Sequence, residues 1–142
     1  MPLAKFSVPN HLSPVMVRGL ADAVHAALVA TCNVPQNDRF QLVSRFAPDA
    51  MMIDPTYPHF ERTSNACVVE ITFLNGRSDD QKRMLYRHIV AQAVHSGFSA
   101  DDIVVALTEN VPIDWSLGRG EAFSAHQLAD GSATEHSKFG PN

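Results

Sequence analysis

The residue of this chain with the most unusual chemical potential is Pro2. Removal of Met1, which a small second residue generally permits, would leave a proline as the amino terminus. Its nitrogen would then be a secondary amine, fixed by the ring, that acts as a general base when neutral, a general acid when protonated, or a nucleophile toward a carbonyl group. Taken alone, Met1-Pro2 favours an unprocessed or idle terminus. The strand-like run 3–8 follows at once, so we expect this terminus to be held in a sheet.

The protonation state of the Pro2 nitrogen would decide which of these roles it takes. An ordinary α-amino group titrates at about 7.7 to 8.0, and the secondary amine of proline is intrinsically more basic. Burial and a neighbouring guanidinium lower the pKa of such a group, whereas a neighbouring carboxylate raises it. The sequence leaves open which of these effects dominates.

Two charged residues are candidates for acting together with such an amine. Arg77 directly precedes Ser78, which we predict to cap a helix. Its guanidinium can bind a carboxylate through two parallel hydrogen bonds, and the unpaired amides of the helical turn attract anions. Asp38 precedes a predicted strand. Alone, Arg77 is compatible with a surface arginine and Asp38 with a turn residue.

A repeated pattern must position these residues. About residues 2–46 and 66–109 each contain a β-strand, an amphipathic helix and a second β-strand. The first helix begins at Ser13-Pro14, and the second at the capping box formed by Ser78 and Gln81. Right-handed crossovers place both helices on one face of a four-stranded sheet. The predicted class is therefore α/β (α+β), a duplicated β-α-β unit, with strands over 3–8, 39–46, 66–73 and 103–108.

The predicted strands also indicate assembly. Residues 67–73 and 103–107 are apolar on both sides, which is typical of strands covered above and below. Two helices cover only one face, so we expect other subunits to cover the second.

Length, composition and charge bound the class of protein. At 142 residues and 45% apolar content, the chain suits one domain over residues 1–130, with a polar tail over 131–142 that we expect to be disordered. The net charge of -4 and the lack of a Lys/Arg run exclude a typical nucleic-acid partner.

The sequence shows no leader pattern and no apolar run typical of a membrane span. The spacing of the two cysteines is not that of a disulfide framework. We expect a soluble, cytoplasmic protein without a membrane partner, in which Cys32 and Cys67 are buried.

The seven histidines show no metal-binding spacing, because none pairs with another four residues away and no acidic residue completes a set. There is also no glycine-rich nucleotide loop. We therefore expect no metal and no cofactor.

Several motifs in a fixed order resemble the tautomerase superfamily, and within it the malonate semialdehyde decarboxylase group. The motifs are a strand-initial Pro2, the duplicated unit, Asp38-Arg39-Phe40-Gln41, Asn75-Gly76-Arg77-Ser78, and Thr108-Glu109-Asn110 followed by Asp114-Trp115-Ser116. The resemblance extends over about residues 2–128.

The resemblance implies a fold, an assembly and roles. It implies a mixed sheet in a homotrimer with its sheets at the centre and its helices outside. Arg77 would bind the carboxylate of a small oxo-acid substrate, and Asp38 would activate water or orient the proline ammonium. Trp115, Leu117 and Phe123 match an apolar pocket wall.

Two departures from related patterns matter. Members with the best-defined decarboxylase pattern carry two arginines around a proline, whereas this chain has Asn75-Gly76-Arg77. The hydrolytic dehalogenase branch also needs a histidine in the first helix, where this chain has Val29.

Two hypotheses about function follow. The first is a cofactor-independent enzyme, a lyase or isomerase that decarboxylates malonate semialdehyde-type substrates and has promiscuous keto-enol tautomerase activity. The second is a non-catalytic trimer that binds small molecules, which retention of Met1 would favour because the Pro2 nitrogen would then be an amide.

Overall fold

The structure is a computed structural model that describes residues 1–124, 126 and 127. The predicted tail over 131–142 and the last predicted domain residues lie outside this range. The chain divides into two compact units, residues 1–109 and a unit that begins at Asn110, and each is described by itself. The single domain predicted over 1–130 stays a prediction.

The duplicated strand-helix-strand pattern is confirmed, with element bounds within one or two residues of those predicted. Each half contributes two strands and one helix to the fold. The elements are β1 (Pro2–Pro9), α1 (Pro14–Cys32), β2 (Phe40–Phe46), β3 (Cys67–Leu74), α2 (Asp79–Val94) and β4 (Ile103–Asn110).

The four strands form one mixed sheet in the order β2-β1-β3-β4. Strand β1 pairs with β2 in parallel, from Leu3 opposite Phe40 onward. It pairs with β3 in antiparallel fashion, and in that register Pro2 lies opposite Phe73. The first residue of β1 therefore lies beside the end of β3, at one end of the sheet.

Both predicted helix starts are confirmed by their hydrogen bonds. The Ser13 hydroxyl accepts a hydrogen bond from the Met16 amide at 3.1 Å. The Ser78 hydroxyl accepts from the Gln81 amide, while the Gln81 side chain accepts from the Ser78 amide at 2.9 Å. Each bond satisfies a helical amide that has no partner within its own helix.

The core lies between the sheet and the two helices. It consists of alternate strand residues and the apolar stripes of α1 and α2, with fully buried members Phe6, Val8, Val69, Ile71, Phe73, Leu20, Val24, Leu28, Leu85 and Ile89. Both cysteines are buried, as predicted. Burial, with a smaller contribution from the negative charge of Asp102, raises the pKa of the Cys67 thiol to about 12, so Cys67 packs as an inert apolar side chain.

The opposite face of the sheet is less apolar than predicted. Leu42 is 57% exposed there, and Val68 and Thr72 are half-buried. Lys5 and Glu70 lie opposite each other on β1 and β3 and are both exposed, which places two opposite charges in the middle of this face. The prediction that β3 is apolar on both sides is wrong at Glu70.

Helix α1 has the length, 19 residues, and the mean hydropathy, 1.4, of a helix that could cross a membrane, contrary to the expectation that no run would reach this length. More than half of its apolar window is buried inside the fold. A core helix of a soluble protein has the same composition, so this feature is weak evidence for a membrane span.

Helices α1 and α2 approach closely at Gly19. A Cβ atom placed on Gly19 would lie 2.6 Å from the Cβ atom of Ser96, just beyond the end of α2. Real atoms do not approach so closely, and glycine in the middle of a helix costs about 1 kcal/mol relative to alanine. The close contact explains why this helix contains a glycine.

We expect Gly19→Ala to lower the free energy of unfolding by about 1 to 2 kcal/mol, because overpacking exceeds the gain in helix propensity. In a Ser96→Gly background the same change is expected to be neutral or stabilising. Chemical denaturation of the four proteins of this double-mutant cycle measures the coupling. Stabilisation by Gly19→Ala in both backgrounds would show that the helices do not meet at this position.

Candidate functional site

The amino group of Met1 forms a buried ion pair with Asp38. The nitrogen lies 2.7 Å from Asp38 Oδ2, and the two side chains are 4% and 12% exposed. Asp38 closes a turn, since its amide donates to the Pro35 carbonyl at 3.0 Å. Its second oxygen, Oδ1, is buried and has no hydrogen-bond partner within the part of the chain that the structure describes. The Asp38 carboxylate therefore binds the amino group through one oxygen, and its other oxygen has no partner among the described residues.

Pro2 is buried next to this ion pair. It occupies the first position of β1 and faces Phe73 across the sheet. Consecutive Cα atoms are about 3.8 Å apart. If Met1 were removed, the new amino group on Pro2 would therefore lie one residue along the chain from the nitrogen that Asp38 binds here.

Arg77 lies at the same end of the sheet and is held by backbone atoms. Its Nη1 donates to the Leu74 carbonyl at 2.6 Å, and its Nη2 donates to the Cys32 carbonyl at 3.4 Å. The guanidinium carbon lies 4.9 Å from the centre of the Phe73 ring. Cys32 is the last residue of α1, where the helix dipole is negative, so the cation also stabilises that helix end.

Pro2, Asp38 and Arg77 thus lie at the same end of the 1–109 unit. Phe73 connects two of them, because Pro2 is its partner across the sheet and Arg77 stacks on its ring. Sequence reasoning missed Phe73, which looked like any other core residue of a strand. Only the antiparallel register of β1 and β3 could have indicated it. The catalytic roles of the three predicted residues stay predictions.

The predicted pocket residues Trp115, Leu117 and Phe123 belong to the second unit. Trp115 is half-buried, and its indole N–H donates to the Asn110 side chain at 2.6 Å. The Phe123 amide donates to the Trp115 carbonyl at 2.8 Å. Phe123 is buried and Leu117 is 45% exposed. Their predicted role in a pocket wall stays a prediction.

An amine, a carboxylate and a guanidinium are suited to an anionic carbonyl substrate. The guanidinium has five N–H donors, of which two make the backbone hydrogen bonds described above. The carboxylate stabilises the protonated form of a nearby amine. Within residues 1–124, 126 and 127, no three His, Cys, Asp or Glu side chains are grouped as a metal site requires.

Two clefts of the first unit lie away from these residues. One of about 280 Å³ includes His11, Phe46 and Thr63 at the far end of the sheet. Another of about 580 Å³ includes Arg18 and Arg45 beside α1. Neither is lined by Pro2, Asp38 or Arg77, so the candidate site is assigned from its reactive groups and not from the size of a cleft.

The duplicated β-α-β fold matches that of a family of small enzymes. A family model described as tautomerase enzyme matches residues 38–118, more than half of the chain. The probable tautomerase YrdN of Bacillus subtilis is 34% identical over 124 residues, which are 86% of this chain and 95% of that protein. The chain belongs to the tautomerase superfamily and, within it, to a group similar to malonate semialdehyde decarboxylase.

Solved structures agree with this assignment. One malonate semialdehyde decarboxylase, described in wild-type, mutant and inactivated forms, matches with a TM-score of 0.80 at 34% identity and covers 92% of this chain and 98% of its own. The FG41 malonate semialdehyde decarboxylase inhibited by 3-bromopropiolate matches with a TM-score of 0.81 at 29% identity, over 92% and 96% of the two chains. A symmetric trimer described as fused wild-type 4-OT shares the fold alone, with a TM-score of 0.69 at 16% identity over 84% of this chain and 94% of its own. This chain is thus of the tautomerase type, and the predicted fold and superfamily are confirmed.

We expect Arg77→Ala to lower the free energy of unfolding by about 1 to 3 kcal/mol, because two carbonyls lose their donor. Arg77→Lys should lose less free energy of unfolding than Arg77→Ala but should not reach the wild-type value, since an ammonium group cannot reproduce the planar arrangement of guanidinium donors. Arg87→Ala, an exposed arginine on α2, is the matched control and should change the value by less than about 0.5 kcal/mol. Thermal unfolding measures all three. Equal values for Arg77→Ala and Arg87→Ala would mean that the backbone contacts of Arg77 contribute nothing to stability.

Proposed function

We propose that the mature protein begins at Pro2 and acts on small oxo acids, most of all in a malonate semialdehyde-type decarboxylation, with keto-enol tautomerase activity as a side reaction. The observation that carries the proposal is the buried ion pair of the Met1 amino group with Asp38, at 2.7 Å, which puts this carboxylate one residue from the Pro2 nitrogen at the end of the sheet where Arg77 lies. The similarity to two malonate semialdehyde decarboxylases, one of them described with a mutant of its first residue, a proline, supports it.

In the proposed decarboxylation, Arg77 binds the substrate carboxylate and the protonated Pro2 nitrogen faces the aldehyde oxygen. The bond between the carboxylate carbon and the methylene carbon breaks, and CO₂ leaves. The electron pair moves into the carbonyl, whose oxygen takes the proton of Pro2 and forms an enol. The enol becomes acetaldehyde, and solvent returns a proton to Pro2. Asp38 favours this route because its negative charge stabilises the proline ammonium.

An iminium route is the alternative within the same reaction. A neutral Pro2 nitrogen would attack the aldehyde carbon and water would leave. The iminium would accept the electron pair released with CO₂, and protonation and hydrolysis of the resulting enamine would release acetaldehyde and restore Pro2. Reduction by borohydride would attach the substrate carbons to the Pro2 peptide, so peptide mass mapping separates the two routes.

The tautomerase reaction needs the opposite protonation state. A neutral Pro2 nitrogen would take the enol proton of a substrate such as phenylenolpyruvate and return a proton to carbon, while Arg77 binds the carboxylate. One nitrogen cannot be mostly protonated and mostly neutral at the same pH, so one activity is expected to dominate.

For the route with a protonated Pro2, we expect decarboxylation to fall, and tautomerisation to rise, as the pH passes upward through the titration midpoint of Pro2. Asp38→Asn removes the charge that stabilises the ammonium, so it should move both profiles to lower pH, which at pH 7 reduces decarboxylation relative to tautomerisation. Pro2→Ala should reduce both on the order of 100-fold. Asp80→Asn, which removes an exposed carboxylate on α2, is the control. Identical profiles for Asp38→Asn and wild type would remove Asp38 from the mechanism.

We propose in addition that the active form is a homotrimer. The outward face of the sheet, with Leu42 and Phe40 about half exposed, provides an apolar surface for other copies. The trimeric structure that shares the fold supports the same assembly.

We expect native mass spectrometry of the recombinant protein to give three chains per particle, and dissociated chains to lack one methionine. A monomer would overturn the trimer. An active protein that retains Met1 would overturn the proline mechanism, because the Pro2 nitrogen would be an amide. A protein that begins at Pro2 and turns over neither substrate would favour the alternative, a binding module without catalysis.

A further inference from the structure

A buried histidine of α1 contacts the turn that carries Asp38. His25 is only 5% exposed, and its Nε2 lies 2.8 Å from the carbonyl oxygen of Gln36. A carbonyl oxygen can only accept a hydrogen bond, so Nε2 carries the proton. The connection after α1 runs back along the helix and thereby brings Gln36 to a side chain seven residues before the helix end.

The carbonyl that His25 contacts belongs to the central peptide of a four-residue turn. The turn comprises Pro35, Gln36, Asn37 and Asp38, and it is closed by the Asp38 amide donating to the Pro35 carbonyl at 3.0 Å. Turns of types I and II differ by a flip of this central peptide. Type II requires a positive φ at the third residue, and Asn37 has none. The peptide is therefore not in the type II orientation, and in the orientation found its carbonyl accepts the hydrogen bond from His25.

The orientation of this peptide matters because Asp38 is the next residue after Asn37. The carboxylate of Asp38 binds the amino group of Met1 at 2.7 Å, one residue before Pro2. A short side chain offers few rotamers to compensate for a moved backbone, so a flip in the turn displaces the carboxylate relative to the amine.

We propose that His25 is a positioning residue that holds the Asp38 carboxylate against the amino-terminal proline through the Gln36 carbonyl. The proposal deepens, and rests on, the function proposed above. His25 does not touch the reacting atoms. The charged group bound to the Met1 amino group is the Asp38 carboxylate, and the Arg77 guanidinium stacks on the ring of Phe73, the residue that pairs with Pro2 across the sheet.

Three variants of the mature, full-length protein test the proposal. His25→Leu removes the donor, and His25→Gln keeps an N–H group at similar reach. Thr31→Val is the control, because it removes another buried hydrogen bond of α1, from the Thr31 hydroxyl to the Ala27 carbonyl at 2.8 Å. Thermal unfolding establishes that each variant is folded. His25→Met replaces His25→Leu if the latter does not fold.

The first measurement needs no substrate. Titration of the Pro2 nitrogen by ¹⁵N NMR should give a lower midpoint in His25→Leu, in the direction of Asp38→Asn and by a smaller amount. His25→Gln should return the midpoint most of the way to the wild-type value. Thr31→Val should lose stability and leave the midpoint unchanged. An unchanged midpoint in His25→Leu, with a stability loss like that of Thr31→Val, would show that His25 is only structural.

The second measurement is turnover of malonate semialdehyde. His25→Leu should lower kcat about two- to tenfold, the range expected for one net hydrogen bond, with little change in KM because Arg77 still binds the carboxylate. If the wild type turns over nothing but the NMR midpoint shifts as expected, the proposed function fails while the role of His25 stands. If turnover is normal and the midpoint does not shift, the role of His25 alone is refuted.

Discussion

The antiparallel pairing of β1 with β3 is the constraint on which the candidate site depends. In a duplicated β-α-β chain the two halves could lie in one sheet in more than one way. The register that places Pro2 opposite Phe73 brings the beginning of the first half to the end of the third strand, where the Arg77 segment starts. A shift of one residue would turn every side chain of β1 to the other face, so the buried alternation of Ala4, Phe6 and Val8 also fixes the position of the amino terminus.

The carboxyl end of α1 is the second component of this arrangement. Its last carbonyls have no partner within the helix. Gln81 donates to the Thr31 carbonyl at 3.2 Å, and Arg77 donates to the Cys32 carbonyl. The second half of the chain thus caps the helix of the first half with residues at the start of its own helix. The same packing that stabilises the repeat holds the proposed carboxylate-binding arginine at the end of the sheet.

Because the contacts that stabilise the fold also hold the candidate site residues, we expect the site to be rigid. Arg77 is held by two carbonyls and by the Phe73 ring, and Asp38 by a closed turn that His25 contacts. Groups fixed before a substrate arrives need no reorganisation during the reaction, which is how charged residues contribute most to catalysis. The buried Oδ1 of Asp38, which has no hydrogen-bond partner among the described residues, is costly for folding. Such a cost is typical of positions that serve chemistry and not stability.

The sequence by itself determined the elements and the class. Some signals act over only a few residues and therefore predict the elements from the sequence alone. They include Ser13-Pro14, the Ser78 capping box and the period of the apolar residues. It also indicated Pro2, Asp38 and Arg77 through motifs. Tertiary structure decided what no local signal contains: the register that gives Pro2 and Arg77 a common neighbour in Phe73, the contact of His25 with the turn, and the charge pair at Glu70 in the middle of the outward face. These depend on which strands pair and in which direction, and that is settled by packing between segments far apart in the chain.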